Sequence, residues 1–149
     1  MSIRPDRPVS SIMSWPVATI DHDATLQEAA EALAADDIGA LVVLREGGLA
    51  GIISERDVVP HVAVGTELSH LLVGEVMTGD LVTTQGDDTI LVAARTMVDA
   101  DVRHLPVLRE HLIAGMVSVR DVVAVLADAL TDEDVVVVPS GTRVVVRQD

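Results

Sequence analysis

One pattern with the residue types needed to bind an anion occurs twice in the sequence: a glycine, a serine and an aspartate at three-residue spacing. In the first copy these residues are Gly51, Ser54 and Asp57. The pattern predicts a strand that ends at the serine and a helix that begins there, with free backbone N–H groups facing a cleft. The serine hydroxyl could donate to a phosphate, and the aspartate could accept from both hydroxyls of a ribose. Gly51 would let strand and helix pack closely. The second copy consists of Gly115, Ser118 and Asp121.

The same pattern also has a purely structural interpretation. Ser54 and Asp57 form a near-capping box, in which the side chains satisfy the N–H groups of the helix's first turn. An acidic residue in that turn stabilises a helix by a few tenths to about 1 kcal/mol through the helix dipole. Duplication does not separate the two interpretations, because two copies of a helix need two copies of a cap. On the pattern alone, both stay open.

Patterns typical of enzymes and zinc sites are missing from the sequence. There are no cysteines, no Gly-x-Ser-x-Gly nucleophile elbow and no phosphate-binding P-loop. The Asp87–Asp88 pair fits a turn before a helix, and the acidic cluster at residues 132–134 fits a solvated loop. We therefore expect no enzymatic activity and no metal site. Neither HxxxH nor HxH spacing, which zinc sites favour, occurs among the histidines: His22, His61, His70, His104 and His111.

An internal repeat determines which elements position these residues. Shifting the chain by 64 residues aligns residues 9–63 with residues 73–127 without a gap, and 21 of the 55 pairs are identical. Thr25 and Glu28 predict a helix that begins with a capping box, and Thr89 begins the matching helix. Each copy predicts the order β-α-β-β-α. Strands are predicted at 40–44, 49–53, 105–108 and 112–117, and the last helix of each copy at 56–63 and 120–130.

One unit of about 55 residues buries too little surface to be stable by itself. We therefore expect an α/β (α+β) fold in which the two copies pack sheet to sheet with pseudo-two-fold symmetry. Residues 9–63 are predicted to form the first repeat, 64–72 a connector and 73–130 the second repeat. In the tail, residues 131–149, two β-branched runs surround Pro-Ser-Gly and predict a β-hairpin. A hairpin this apolar is expected to dock on its own module or on a partner subunit.

Three motifs recur in the same order in both copies. They are Ile-Met-Ser, Asp-Ile-Gly-Ala-Leu-Val-Val and Gly-Ile-Ile-Ser-Glu-Arg-Asp, then Val-Met-Thr, Val-Arg-His-Leu-Pro-Val and Gly-Met-Val-Ser-Val-Arg-Asp. Their order resembles a tandem pair of cystathionine-β-synthase-type (CBS) domains, a Bateman module, over residues 9 to about 130. The resemblance implies a stand-alone regulatory module that binds an adenosine compound (AMP, ADP, ATP or S-adenosylmethionine) in clefts between the repeats. It also implies a homodimer.

The resemblance further implies that basic residues before the second strand of a repeat reach ligand phosphates. The second copy has Arg103 and His104 there, where the first has Gly39 and Ala40. We therefore expect the better phosphate site in the second copy. The first copy, with only Arg56 nearby, is expected to hold a nucleoside-like ligand or none. A surface salt bridge stays an alternative for Arg103, and a structural hydrogen bond for His104. The other candidates are Ser54, Asp57, Ser118, Arg120 and Asp121 at the helix starts, Thr19 and Thr83 (with Ala18 and Val82) beside the adenine, and Ile38 and Val102 as an apolar wall.

The charge of the chain limits its partners. Ten basic and 24 acidic residues give a net charge of −14, which would repel nucleic acids and anionic membranes. No stretch approaches the roughly 20 apolar residues of a membrane span, and residues 1–8 lack a secretory signal. We therefore expect a cytoplasmic protein. With the resemblance, the leading hypothesis is a regulatory module whose ligand state a protein partner reads. The alternative is a structural or interaction module with empty clefts.

Overall fold

Two three-stranded sheets with flanking helices form the molecule, one sheet from each repeat. The computed structural model describes residues 6–129, 135–137 and 143–145. The first repeat contains β1 (Thr19–Asp21), α1 (Leu26–Asp36), β2 (Ala40–Arg45), β3 (Gly48–Ser54) and α2 (Glu55–Ala63). The second contains α3 (Val73–Val76), β4 (Thr84–Gln85), α4 (Ile90–Ala100), β5 (His104–Arg109), β6 (Leu112–Ser118) and α5 (Val119–Ala129).

The predicted strands and helices are confirmed, and the repeat extends to the register of the sheets. Ala40 lies opposite Ser54 in the antiparallel pair β2–β3, and His104 lies opposite Ser118, 64 residues later, in β5–β6. Each pair has its irregularity at the same place, after Val43 and after Val107. The first strand of each repeat joins its sheet in parallel. The two halves therefore have the same internal architecture.

The helices α1 and α4 begin at the predicted threonines. The Thr25 side chain accepts from the Glu28 N–H at 3.1 Å, and the Glu28 carboxylate accepts from the Thr25 N–H at 2.9 Å, which completes the capping box. Thr89 accepts from the N–H of Val92 at 3.1 Å. Each helix is followed by an aspartate in the left-handed conformation, at φ 50° for Asp37 and φ 52° for Asp101. This turn leads the chain into the next strand, β2 after Asp37 and β5 after Asp101.

The opening segment of each repeat packs on the other repeat, which the sequence analysis did not predict. The Val9 N–H donates to the Asp88 carbonyl at 2.8 Å, and the Val73 N–H donates to the Ala24 carbonyl at 2.8 Å. Val73 thus belongs to the core of the first repeat, and Val9 to that of the second; both are fully buried. The two repeats are interlocked by exchanged segments of the chain.

This exchange corrects the role predicted for the repeated glycine. Gly51 was expected to bring strand and helix together. Instead, a Cβ at Gly51 would lie 2.6 Å from the Thr78 carbonyl oxygen and 2.7 Å from Met77 Sδ. At Gly115 the contact is with Met13 Sδ, at 2.6 Å. Both glycines make room for the opening segment of the opposite repeat.

The predicted hairpin strands of the tail pair antiparallel, Val135–Val137 with Arg143–Val145. Where this hairpin docks stays a prediction, and the acidic cluster at residues 132–134 lies outside the described residues. In the described part of the chain, no helix combines the length and apolar character that a membrane crossing requires.

Candidate ligand-binding clefts

Two clefts lie between the repeats, and the 64-residue shift relates one to the other. The first cleft contains the turn at residues 54–57 and has a volume of about 220 Å³; the second contains the turn at residues 118–121 and has about 720 Å³. The first cleft is lined by Gly39, Ile52, Ser54, Glu55, Arg56, Asp57, Thr78, Asp80, Leu81, Val82, Asp101, Val102, Arg103 and His104. The second is lined by Ser14, Pro16, Val17, Ala18, Asp37, Ile38, Gly39, Ala40, Glu55, Arg103, His104, Met116, Ser118, Val119, Arg120 and Asp121.

Each cleft combines the serine–aspartate turn of one repeat with the apolar wall of the other. Ala18 and Ile38, from the first repeat, lie in the second cleft with Ser118 and Asp121. The reverse combination forms the first cleft, where the wall is Val82 and Val102 and the turn is Ser54 and Asp57. A molecule in either cleft would therefore contact both repeats.

The serine–aspartate turns have the capping geometry. Asp121 Oδ2 accepts from the Ser118 N–H at 2.8 Å and from Ser118 Oγ at 3.0 Å, and the Asp121 N–H donates to Ser118 Oγ at 3.1 Å. Asp57 makes the first two bonds with Ser54 at 2.8 and 3.1 Å. A serine hydroxyl that donates to a phosphate would have to exchange its bond to the aspartate. Among the described residues, Oδ1 of either aspartate receives no hydrogen bond.

His104 lies half-buried at the boundary of the two clefts. A Cβ at Gly39 would be 2.7 Å from His104 Nε2, so the imidazole lies directly on the backbone of the first repeat. Burial lowers the pKa of His104, while the carboxylates of Glu55 and Asp121 oppose the shift and Arg103 adds to it. The ring is therefore mostly neutral at neutral pH and is not a fixed cation in the clefts.

The basic residues are distributed differently from the prediction. Arg103 and His104 line both clefts, so the expectation that the first copy has only Arg56 nearby is wrong. Arg56 itself donates to the Asp101 carbonyl at 3.1 Å and lies 3.4 Å from Asp101 Oδ2. No ion pair involves Arg103 or Arg120 within the described ranges. Within those ranges, Arg103 and Arg120 of the second cleft are not paired with a carboxylate, and Arg103 also lines the first cleft.

The two clefts also differ in the carboxylates that line them. Asp80 lines the first cleft, and the equivalent residue of the second is Pro16. Glu55 lines both clefts and therefore does not distinguish them. The first cleft is therefore lined by more carboxylates than the second. The sequence did not predict this difference.

The structure places the remaining candidates unequally. Ile38 lines the second cleft and Val102 the first. Thr19 is exposed on β1 and Thr83 is partly buried just before β4. Neither threonine lines a cleft; the neighbouring residues named with them, Ala18 and Val82, do so instead. Asp37 and Asp101, which line the clefts, were not predicted from the sequence, although an aspartate directly after α1 and after α4 is a signal for a left-handed turn.

An acidic turn outside the clefts brings the side-chain ligand atoms of Asp21, His22 and Asp23 within 4.8 Å of one another. His22 Nδ1 is 2.9 Å from Asp21 Oδ1, which also accepts from the Asp23 N–H at 3.2 Å. These contacts close the turn after β1 with its own side chains.

The family model of the CBS domain matches residues 9–63 and 73–128. The chain belongs to the CBS domain family. It is 37% identical over 116 residues to the mitochondrial CBS domain-containing protein CBSX3 of Arabidopsis thaliana; the match covers 74% of this chain and 55% of that relative. The chain thus spans about half the length of that relative.

Solved CBS structures have the same fold. The CBS domain pair of protein MJ0100, in complex with 5′-methylthioadenosine and S-adenosyl-L-methionine, is 25% identical at a TM-score of 0.77 and covers 85% of this chain and 100% of its own. The hexameric CBS-CP12 protein from bloom-forming cyanobacteria is 26% identical at a TM-score of 0.73, over 78% of this chain and 66% of that one.

Proposed function

We propose that this chain is a non-catalytic regulatory module that binds an adenosine-containing small molecule between its CBS repeats. The single observation that supports this most directly is the second cleft. It brings the start of α5 together with Arg103 and Arg120 on one side and the apolar residues Ala18 and Ile38 on the other. The arginines and the helix start suit a phosphate, Asp121 suits the hydroxyls of a ribose, and the apolar residues suit a base. The related MJ0100 pair, with two adenosine compounds bound, supports the same ligand class.

The volumes and charges favour a phosphorylated ligand in the second cleft. Its volume of about 720 Å³ lies within the roughly 300–1,000 Å³ typical of small-molecule sites. The first cleft is smaller, is lined by Asp80 in addition to its turn aspartate, and has one of its two arginines, Arg56, engaged with Asp101. We propose AMP, ADP or ATP for the second cleft and an uncharged nucleoside or no ligand for the first.

Thermal melts with AMP, ADP, ATP, 5′-methylthioadenosine and S-adenosylmethionine test the proposal. A ligand at a hundred times its Kd adds about 2.7 kcal/mol, which raises the Tm of a chain this long by about 5–10 °C. We expect at least one of these compounds to do so. Mass spectrometry of small molecules released by denaturing the purified protein gives an independent readout.

Two matched variants locate the site. Asp121→Ala and Asp57→Ala each remove the same cap, at a cost of about 0.5–2 kcal/mol in the free protein. Because that loss is shared, a difference between their ligand-induced shifts reports on the clefts. Asp121→Ala is expected to abolish the shift with AMP, and Asp57→Ala to retain most of it. Equal loss in both variants would contradict the proposed difference between the clefts.

The rival function is assembly without a ligand. Apolar side chains are exposed at equivalent positions of the last helix of each repeat, Val59 and Val62 on α2 and Val123 and Leu126 on α5. Such a face supports the homodimer that we propose and is compatible with a purely structural role. An unchanged melting temperature with every compound tested would favour that rival and remove the support for ligand sensing.

A further inference from the structure

His104 is the structural boundary between the two clefts. Its side chain lines both of them, together with Gly39, Glu55 and Arg103. Because Gly39 has no side chain, the imidazole lies against the backbone, with Nε2 2.7 Å and Cε1 2.9 Å from the position of a Cβ. The His104 ring of the second repeat is therefore in direct contact with the Gly39 backbone of the first repeat.

The backbone beneath the ring holds the start of a cleft helix. The Glu55 N–H, the first of α2, donates to the Gly39 carbonyl at 3.2 Å. By the 64-residue symmetry, the Val119 N–H of α5 donates to the Arg103 carbonyl at 2.9 Å. The contact of His104 with Gly39 therefore connects the residues that anchor both helix starts. A movement of the ring toward one cleft changes the support of the helix in the other.

Charges from both sides act on the same imidazole. Glu55, at the start of α2, and Asp121, in the second cleft, each favour its protonated form, whereas burial and Arg103 disfavour it. A phosphate that enters the second cleft would add to the influence of Asp121, favour the protonated form of the ring and attract that form. The ring would then lose its position on Gly39 and its contact with a molecule in the first cleft.

We propose that His104 couples the two clefts, so that an anionic nucleotide in the second weakens the binding of a nucleoside in the first. This inference rests on the proposed ligand binding. Reciprocity requires that each ligand change the affinity of the other by the same factor. Since one imidazole serves one cleft at a time, the coupling is negative. We expect a factor of about fivefold or more, the lower end of common allosteric couplings.

Isothermal titration of the whole chain tests the coupling with AMP and 5′-methylthioadenosine as probes. Each probe is titrated alone and with the other at saturation. The wild type is expected to bind both, with each Kd raised about fivefold or more by the other ligand. In His104→Ala, which places in copy two the residue that Ala40 provides in copy one, both Kd values are expected to become independent. Gly39→Ala, whose Cβ would displace the ring, is expected to reduce the coupling as well.

The control is His111→Ala, because His111 is exposed in the β5–β6 turn, outside both clefts. It is expected to keep the coupling of the wild type. Independent binding of both probes to the wild type, mutual exclusion at a stoichiometry of one, or unchanged coupling in His104→Ala would each overturn the inference. If neither probe binds, the proposed function itself fails, which is a distinguishable result.

Discussion

His104 is the residue at which burial and charge oppose each other most clearly. Burial lowers the pKa of its imidazole, so the unfolded chain, whose histidine titrates near the ordinary value of 6.5, takes up a proton before the folded chain does. Between the lowered folded pKa and 6.5, the unfolded state binds more protons, and stability therefore rises with pH. The stabilising difference is present above that window and is lost as the pH falls through it.

We expect the free energy of unfolding to decrease between about pH 8 and about pH 5, and His104→Ala to flatten that dependence. Urea unfolding at constant ionic strength measures it. Carboxylates also titrate toward the acid end, so the comparison is between slopes of variants and not with a flat line. His111→Ala, at an exposed turn, should keep the wild-type slope. If removing His104 leaves the slope unchanged, burial of this imidazole does not govern the acid sensitivity.

At the scale of elements, the exchanged opening segments depend on two glycines. In Gly51→Ala, the new methyl group would lie 2.6 Å from the Thr78 carbonyl oxygen, which is backbone and cannot rotate away. We expect a loss of about 1–3 kcal/mol, the usual cost of forcing an extra carbon into a packed contact. The matched control is Gly79→Ala, where no atom lies within 4 Å of the added carbon. It should leave the stability unchanged or slightly raised. Comparable losses in both variants, measured by urea unfolding, would contradict the close-packing argument.

Sequence reasoning predicted the elements well because their signals are local. Thr25 with Glu28 determines where α1 begins, whichever way the repeats are arranged. The exchange of opening segments was not predictable in this way. Residues 9–14 and 73–78 have almost the same pattern, so either could fit either repeat. The choice depends on the three-dimensional path of the chain between them, which no residue spacing reports.

The same limit applies to the clefts. Ser118 and Asp121 were identified from their spacing, because the helix start that they form is local. Their partners Ala18 and Ile38 come from the other repeat, and composition within one copy does not say which copy supplies the wall. His104 illustrates the point most strongly, since only the meeting of the two repeats places its ring against Gly39 and at the edge of both clefts.

For the whole molecule, the exchange means that a sequence repeat and a folding unit are not the same segment. The core of the first repeat includes Val73, which is fully buried and begins the second sequence repeat. Its N–H donates to the Ala24 carbonyl, and the next residue, Gly74, donates to the His22 carbonyl at 2.8 Å. A fragment of residues 9–72 therefore lacks part of its core, whereas a fragment of residues 17–79, of almost equal length, retains all of it.

We expect the fragment of residues 17–79 to unfold at a higher urea concentration, and more cooperatively, than the fragment of residues 9–72. Both are small enough to be marginal, so the difference between them is the informative quantity. Far-ultraviolet circular dichroism during urea titration measures both transitions. Val73→Ala in the fragment of residues 17–79 should lower its urea midpoint toward that of the fragment of residues 9–72. Truncating a fully buried valine loses apolar contact and leaves a cavity. Equal midpoints for the two fragments would show that the first repeat does not need the exchanged segment, and the interlocked arrangement would then contribute little to stability.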